Sequence, residues 1–222
     1  MARQILGREI DAVAIVEDNL EARKGYAWPL EDLELQPKPL EGPLQELEVA
    51  ASEIQKLASA ALCDHHLRKA NYAPFNGAEA VALWYDSKFP AVLCTKWEKA
   101  DIDEIRSLRR KIPALIQPDQ LSEDPELFVR SIEECLFEMT QDFRPERRPW
   151  RAQIYVAEVD EDPHGMLYVE VQGWQLNEVV RLRKRDIPEQ LRANLAPEFR
   201  CHASVNLGAE DADSIYFSEW EA

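Results

Sequence analysis

The regular alternation of short apolar runs with amphipathic stretches constrains the fold of this chain most strongly. Runs that are almost wholly apolar are typical of strands buried on both faces of a parallel sheet. Such strands are predicted over residues 11–17, 59–64, 90–95 and 112–118, and helices over residues 43–60, 76–88, 100–111 and 124–143. Because strands and helices alternate, the sequence predicts an α/β fold with a doubly wound parallel sheet. The proline-rich stretch 32–43 offers at best a short edge strand.

The pattern changes after residues 144–150, a stretch with two prolines and four charges that we interpret as a linker. Residues 152–159 and 166–174 alternate between apolar and polar positions on either side of a turn, which predicts a β-hairpin. We therefore expect an α/β domain over residues 1–143 and a small, mostly antiparallel β domain over residues 151–222.

Composition excludes several classes of protein. A formal net charge of −16 disfavours a nucleic-acid-binding surface, and the short basic stretch 181–185 is interpreted as a solvated strand end. No apolar stretch is long enough to cross a membrane. The four cysteines are scattered and suit reduced, buried thiols in the cytoplasm.

Polar side chains follow the strands of the predicted parallel sheet at the edge where ligands bind in such folds. The first strand ends in Glu17 and Asp18, and the next core strand ends in Asp64. The following two end in Thr95 and Gln117. Adjacent carboxylates repel each other, so a divalent cation is expected to hold them.

This ordered set resembles the receiver domain of two-component response regulators, a family with the flavodoxin-like fold. Asp64 and Thr95 are separated by 31 residues, and Thr95 and Gln117 by 22, which fits the family's pattern. The loop after Asp64 contains Pro74 and an Asn76-Gly77 pair, similar to the Pro and Asp-Gly of the family. The resemblance covers about residues 10–143.

The resemblance implies roles for these residues. Asp64 would accept a phosphoryl group as a nucleophile, and Glu17, Asp18 and Asp64 would bind Mg²⁺. Thr95 would donate a hydrogen bond to a phosphoryl oxygen, and Gln117 would occupy the position of the family's lysine. No enzymatic activity is expected beyond phosphorylation and dephosphorylation of Asp64 itself.

Two departures favour an alternative. Gln117 carries no charge, and the position of the family's aromatic switch residue is Ala114. The alternative is a pseudo-receiver, an interaction module of the same fold without phosphoryl transfer. Lys96 or Lys99 could replace the missing lysine. A phosphatase of the haloacid-dehalogenase type would need Asp-x-Asp after the first strand, whereas Asn19 and Leu20 follow Asp18 here.

Simpler readings remain open for individual residues. Asp18 could cap the helix that begins near Leu20, and Asp64 could be a loop acid after a strand. His65 and His66 are interpreted as packed in the loop rather than as phosphodonors or metal ligands.

The resemblance also implies partners. A sensor histidine kinase or another phosphodonor would act upstream, and a protein target would act downstream. Neither nucleic acid nor a membrane is expected as a partner, and a homodimer is one candidate assembly.

Overall fold

The computed structural model describes residues 2–96, 99–162 and 164–222, with the side chains of residues 70, 99 and 100 left out. Contacts between residues divide the chain into a first unit, residues 1–97 with 111–142, and a second unit, residues 98–110 with 143–222. The assignment of residues 1–143, 144–150 and 151–222 to a receiver-like domain, a linker and an output domain stays a prediction.

The secondary structure follows in chain order. The strands are β1 (Arg3–Ile5), β2 (Arg8–Ile10), β3 (Ala12–Val16), β4 (Gln36–Pro39), β5 (Ala60–Cys63), β6 (Ala91–Cys94), β7 (Leu115–Ile116), β8 (Trp150–Val159), β9 (Met166–Val171), β10 (Val180–Arg183), β11 (Arg200–Val205) and β12 (Phe217–Glu221). The α-helices are α1 (Leu20–Asp32), α2 (Leu47–Leu57), α3 (Gly77–Asp86), α4 (Lys99–Ile105), α5 (Pro118–Glu123), α6 (Glu126–Met139) and α7 (Glu189–Arg192). Short 3-10 helices cover Lys69–Asn71, Arg109–Lys111 and Lys184–Asp186.

The first unit is built on a five-stranded parallel sheet in the order β4-β3-β5-β6-β7. Every residue of β3, β5 and β6 is buried, as expected for strands covered on both faces. Helices α1, α2, α3 and α6 contact these strands. When the five strands of this sheet are numbered along the chain, their order in space is 2-1-3-4-5, which is the flavodoxin-like order. The predicted α/β fold is confirmed.

Strand β4 forms one edge of this sheet and contains two of the chain's prolines. It pairs only with β3, and the backbone amides of Gln36 and Leu40 donate to the carbonyls of Asp11 and Ile15, at 2.8 and 3.0 Å. The predicted edge strand within the proline-rich stretch is therefore present, although it is four residues long.

The second unit contains a five-stranded sheet in the order β10-β9-β8-β11-β12, in which every pair of neighbours is antiparallel. One face of this sheet is apolar and buried, and Ile154, Val169 and Val205 are among its fully buried side chains. The predicted hairpin is formed by β8 and β9, and the expected antiparallel β domain is confirmed.

The basic stretch 181–185 lies on β10 and the 3-10 helix after it, where its charged side chains form ion pairs and hydrogen bonds. Arg181 pairs with Asp103 at 2.5 Å, and Arg183 pairs with Asp186 at 2.7 Å. The ammonium group of Lys184 donates to the backbone carbonyls of Asp160 and Asp162. Three of the four cations in this stretch thus have partners within the second unit. Little unpaired positive charge therefore remains in it to bind a nucleic-acid backbone.

Among the helices that the structure describes, none has both the length and the apolar character needed to cross a bilayer.

Candidate functional site

The parallel sheet brings Glu17, Asp18 and Asp64 together at its carboxyl edge. Val16 and Cys63 are paired residues of β3 and β5, and the Asp64 amide donates to the Val16 carbonyl at 2.9 Å. The acids follow these paired residues directly, so they leave neighbouring strands at the same level. Asp18 and Asp64 both lie close enough to Glu17 to act on the pKa of its carboxyl.

Glu17 is the buried member of this acidic cluster, with 5% of its surface exposed. Burial raises the pKa of its carboxyl to about 8, and the charges of Asp64 and Asp18 contribute in the same direction. A hydrogen bond of 2.8 Å from the Asn19 amide opposes this shift. Burial and the neighbouring carboxylates therefore favour the protonated form of Glu17 when no cation is bound.

Asp64 lies at the end of β5, where the following loop holds its carboxyl. The His66 amide donates to Oδ2 of Asp64 at 2.8 Å. Burial raises the pKa of this carboxyl, while the amides of His66 and His65 lower it. The side chain stays half-buried, so one part of it faces solvent.

The helix cap at this edge is Asn19, and this overturns the reading of Asp18 as a cap. The Asn19 side chain accepts hydrogen bonds from the amides of Glu21 and Ala22, at 2.9 and 3.0 Å. Because Asn19 already accepts the hydrogen bonds of the amides at the start of α1, the Asp18 carboxylate is not the cap of this helix.

Thr95 follows β6, the strand next to β5. Cys63 pairs with Leu93, and the Thr95 amide donates to the Ile116 carbonyl at 3.0 Å, so the residue lies at the same edge as the acids. Thr95 is 1% exposed, and within the described part of the chain its hydroxyl has no hydrogen-bond partner. A buried hydroxyl without a partner costs stability, which fits a group kept for a ligand.

Gln117 lies after β7, at the edge where the family has lysine, but it is exposed. It precedes α5 as the capping residue, and its backbone amide donates to Oε1 of Gln120 at 3.0 Å. Lys96 is also exposed, and the side chain of Lys99 lies outside the described residues. Ala114 is buried.

Gly77 in the loop after Asp64 allows a close approach of two backbone segments. A Cβ atom built on it would lie 1.8 Å from the Asp64 carbonyl oxygen and 2.8 Å from its carbonyl carbon. The Gly77 amide also donates to the His65 carbonyl at 2.9 Å. The start of α3, capped by a 2.7 Å bond from the Asn76 amide to Glu79, therefore packs directly on the backbone of Asp64.

Aromatic residues beside the acids were not predicted from the sequence. The Tyr72 hydroxyl donates to the Leu40 carbonyl at 3.1 Å and also lies near the Glu17 backbone. Tyr26 lies close to Cys94; burial raises the pKa of its hydroxyl, and the charges of Glu17 and Asp64 act in the same direction. Isolated tyrosines in a loop and a helix carry no spacing pattern that would have identified them.

Carboxylate oxygens from neighbouring strands, with a buried hydroxyl at the adjoining strand end, form a hard-oxygen environment that fits Mg²⁺. A flavodoxin-like parallel sheet with acids at its carboxyl edge is the architecture of the receiver fold, and the first unit fits that fold.

No protein-family model and no curated protein matches the sequence. Similar solved structures include the N-terminal domain of a response regulator/sensory box/GGDEF three-domain protein from Carboxydothermus hydrogenoformans. That alignment has 19% identity and a TM-score of 0.42, and covers 59% of this chain and 98% of the other. A receiver domain from Clostridium thermocellum aligns at 7% identity with a TM-score of 0.43, over 60% of this chain and 98% of the other.

The signal receiver domain of the response regulator NarL from Mycobacterium tuberculosis aligns at 15% identity with a TM-score of 0.40, over 58% of this chain and 98% of the other. Likenesses this distant carry no argument about activity. The fold assignment depends on the strand order of the sheet itself.

The pKa of Glu17 leads to a prediction for stability in the absence of divalent cations. A carboxyl whose pKa is higher in the folded chain stabilises the fold fully below its unfolded pKa, and this contribution is lost as pH rises through the folded value. Raising the pKa from 4.5 to about 8 predicts that the free energy of unfolding falls between these pH values. The expected fall is at most about 5 kcal/mol.

Urea unfolding in EDTA across this pH range measures the effect. Glu17→Gln should flatten the slope, because the amide mimics the protonated acid, and Mg²⁺ should reduce the fall in the wild type. Glu21→Gln, an exposed acid on α1, serves as the matched control. An unchanged slope in Glu17→Gln would show that Glu17 ionises normally.

Proposed function

We propose that this chain is a receiver-type signalling protein whose Asp64 accepts a phosphoryl group, with Mg²⁺ held by Glu17, Asp18 and Asp64. The observation that carries the proposal is the placement of the acids: they follow Val16 and Cys63, which are paired across β3 and β5, and the Asp64 amide donates to the Val16 carbonyl at 2.9 Å. Acids kept close together without a role in capping suit a cation site.

The chemistry follows from the positions of the side chains. One oxygen of the Asp64 carboxylate attacks the phosphorus atom of a phosphodonor and forms a new phosphorus–oxygen bond. The donor's own bond to phosphorus breaks, phosphorus–oxygen in acetyl phosphate or phosphorus–nitrogen in a phosphohistidine, and its electron pair leaves on the donor. The hydrogen bond from the His66 amide to Oδ2 fixes the orientation of the attacking carboxylate. Thr95 then donates its hydroxyl to a phosphoryl oxygen. When bound, Mg²⁺ offsets the negative charge on the transferring group.

The pseudo-receiver is the second candidate, and the exposure of Gln117 favours it. A charged lysine at this edge would offset negative charge on the phosphoryl oxygens. Gln117 is uncharged and exposed, and it is the capping residue of α5, so it would offset that charge only weakly. In that case the chain acts as a constitutive interaction module of the same fold.

The proposal includes partners and location. A sensor histidine kinase or another phosphodonor supplies the phosphoryl group, and a downstream protein, or a second copy of the chain, receives the output. Protein contacts are favoured over DNA because the chain is acidic and its basic stretch is engaged internally. Four free, buried cysteines suit the cytoplasm.

The direct test is incubation of the full chain with Mg²⁺ and acetyl phosphate, followed by intact-mass spectrometry. A gain of one phosphoryl group that disappears with EDTA supports phosphoryl transfer. The absence of a mass gain, together with no tryptophan fluorescence response to beryllofluoride, would leave the pseudo-receiver as the function.

Thr95→Val separates a functional hydroxyl from a structural one. Because the hydroxyl has no partner in the described part of the chain, its removal is expected to be neutral or to stabilise the fold by up to about 2 kcal/mol. The rate of phosphoryl incorporation should fall about tenfold or more, since a donor to the transferred group is lost.

Urea unfolding and the time course of the mass gain measure these two effects. Thr95→Ser keeps the hydroxyl and should retain most of the rate. A Thr95→Val chain that is destabilised but incorporates phosphoryl normally would assign the hydroxyl to the fold.

A further inference from the structure

The outer face of the antiparallel sheet in the second unit carries a row of three side chains. Arg200 on β11 pairs with Tyr155 on β8, and Tyr155 pairs with Glu170 on β9. Their chain neighbours Ile154 and Cys201 are buried in the core of the unit. Because side chains alternate along a strand, the row lies on the opposite face. It places a cation and a carboxylate on either side of an aromatic ring.

This row lines a pocket of about 410 Å³, and every residue that lines the pocket belongs to the second unit. The next row on the same face adds the carboxamides of Gln153 and Gln172, whose backbones are joined by a hydrogen bond of 2.9 Å. Within the part of the chain that the structure describes, neither carboxamide forms a side-chain hydrogen bond. The pocket therefore offers both donors and acceptors to a ligand.

The loop after β9 forms one wall of the pocket and is anchored by its own side chains. Nε1 of Trp174 donates to the Ala209 carbonyl at 2.8 Å, and Nε2 of Gln175 donates to the Glu210 carbonyl at 2.6 Å. Leu176, which follows them, is 88% exposed and lines the pocket. The wall is thus held in place and presents apolar surface beside the charged row.

The two charges of the row do not pair with each other. The Arg200 guanidinium lies 5.5 Å from the centroid of the Tyr155 ring, a contact that uses none of its five N–H donors in a conventional hydrogen bond. Among the residues that the structure describes, neither Arg200 nor Glu170 has a side-chain hydrogen bond or an ion pair. A cation and an anion that face one pocket without pairing leave both available to a ligand placed between them.

The spacing of the charges indicates the class of ligand. Neighbouring strands lie about 4.8 Å apart, so Arg200 and Glu170, two strands apart, leave the sheet about 10 Å from each other. An α-amino acid carries an ammonium and a carboxylate on one carbon atom. With one hydrogen bond of about 2.8 Å at each end, it spans about 9 Å between two protein groups.

We propose that this pocket binds a zwitterionic ligand, an α-amino acid with an apolar side chain. Arg200 binds the carboxylate, Glu170 binds the ammonium, and the apolar side chain packs against the wall at Leu176. A ligand with only one charge would leave the other protein charge facing it with the same sign or without a partner. The site lies wholly in the second unit and is independent of the role of Asp64.

The test is isothermal titration of the full chain with L-leucine and with L-phenylalanine. Two derivatives remove one ligand charge each: N-acetyl-L-leucine lacks the ammonium, and L-leucinamide lacks the carboxylate. Arg200→Gln and Glu170→Gln remove the protein charges, and both side chains are exposed, so the fold should tolerate the changes. Arg185→Gln and Glu189→Gln are matched controls, because both residues are exposed in the second unit and lie outside the pocket.

At least one of the two amino acids should bind the wild type and both controls equally, and bind Arg200→Gln and Glu170→Gln at least about tenfold more weakly. N-acetyl-L-leucine should bind the wild type more weakly than L-leucine, and Glu170→Gln should change its affinity little, because the ammonium is already missing.

Absence of binding of both amino acids at millimolar concentration would overturn the proposal. Equal binding by the wild type and both pocket variants would place the ligand elsewhere and overturn it too. N-acetyl-L-leucine and L-leucinamide that bind as tightly as L-leucine would likewise exclude recognition of a zwitterion.

Discussion

Asp64→Asn is expected to abolish the gain of a phosphoryl group from acetyl phosphate. The amide cannot act as the nucleophile. In the wild type, the Asp64 carboxylate is partly exposed and is oriented by the hydrogen bond that the His66 amide donates to it. Intact-mass spectrometry with Mg²⁺ measures the loss, and phosphopeptide mapping of the wild type should locate the group on Asp64.

This variant should fold normally, which makes the loss interpretable. Burial already favours the neutral form of Asp64, so a neutral amide is tolerated at this position. Asp32→Asn is the matched control, because Asp32 ends α1 and lies far along the helix from its start at the carboxyl edge. A mass gain that persists in Asp64→Asn would place the phosphoacceptor elsewhere.

Gly77→Ala is expected to destabilise the first unit by about 3 kcal/mol or more. The added methyl group would meet the backbone of Asp64 at 1.8 Å and Sγ of Cys63 at 2.9 Å. Backbone atoms in a buried strand end cannot move aside cheaply, so either the loop or β5 must shift. Any chain that remains folded should also lose phosphoryl incorporation, because the position of Asp64 changes.

Gly25→Ala provides the opposite control for this prediction. Gly25 lies within α1, and a Cβ atom there would meet nothing within 4 Å. Since alanine favours helices, this variant should gain about 0.5–1 kcal/mol. Urea unfolding of both variants measures the contrast, and similar stabilities would contradict the close approach at Gly77.

The parallel sheet could be predicted because buried parallel strands have a sequence pattern of their own. The apolar runs ending at Val16, Cys63 and Cys94 match β3, β5 and β6, and the acids after them fall at the edge that the fold dictates. Helix ends were less predictable. The helix predicted over residues 124–143 ends at Met139, and α5 before it was not predicted.

Other features leave no local pattern to read. The hairpin of β1 and β2 consists of three-residue strands joined at Leu6 and Gly7, both with positive φ. Charged residues in these strands interrupt the apolar pattern by which a strand is predicted. The amphipathic pattern of residues 100–111 predicts a buried face, but not which part of the chain covers it. Arg106 donates to two backbone carbonyls that lie more than 100 positions along the chain, a distance at which single-sequence patterns give no information.

The prolines of β4 limit how copies of this chain can associate. The amides of Gln36 and Leu40 point toward β3, so the alternate positions, Pro37 and Pro39, face outward. A proline has no amide hydrogen, and the outer side of this strand therefore offers no donors at these two positions to an incoming strand. Continuation of the sheet from one molecule into the next is blocked along this border, and a homodimer would have to use a different surface.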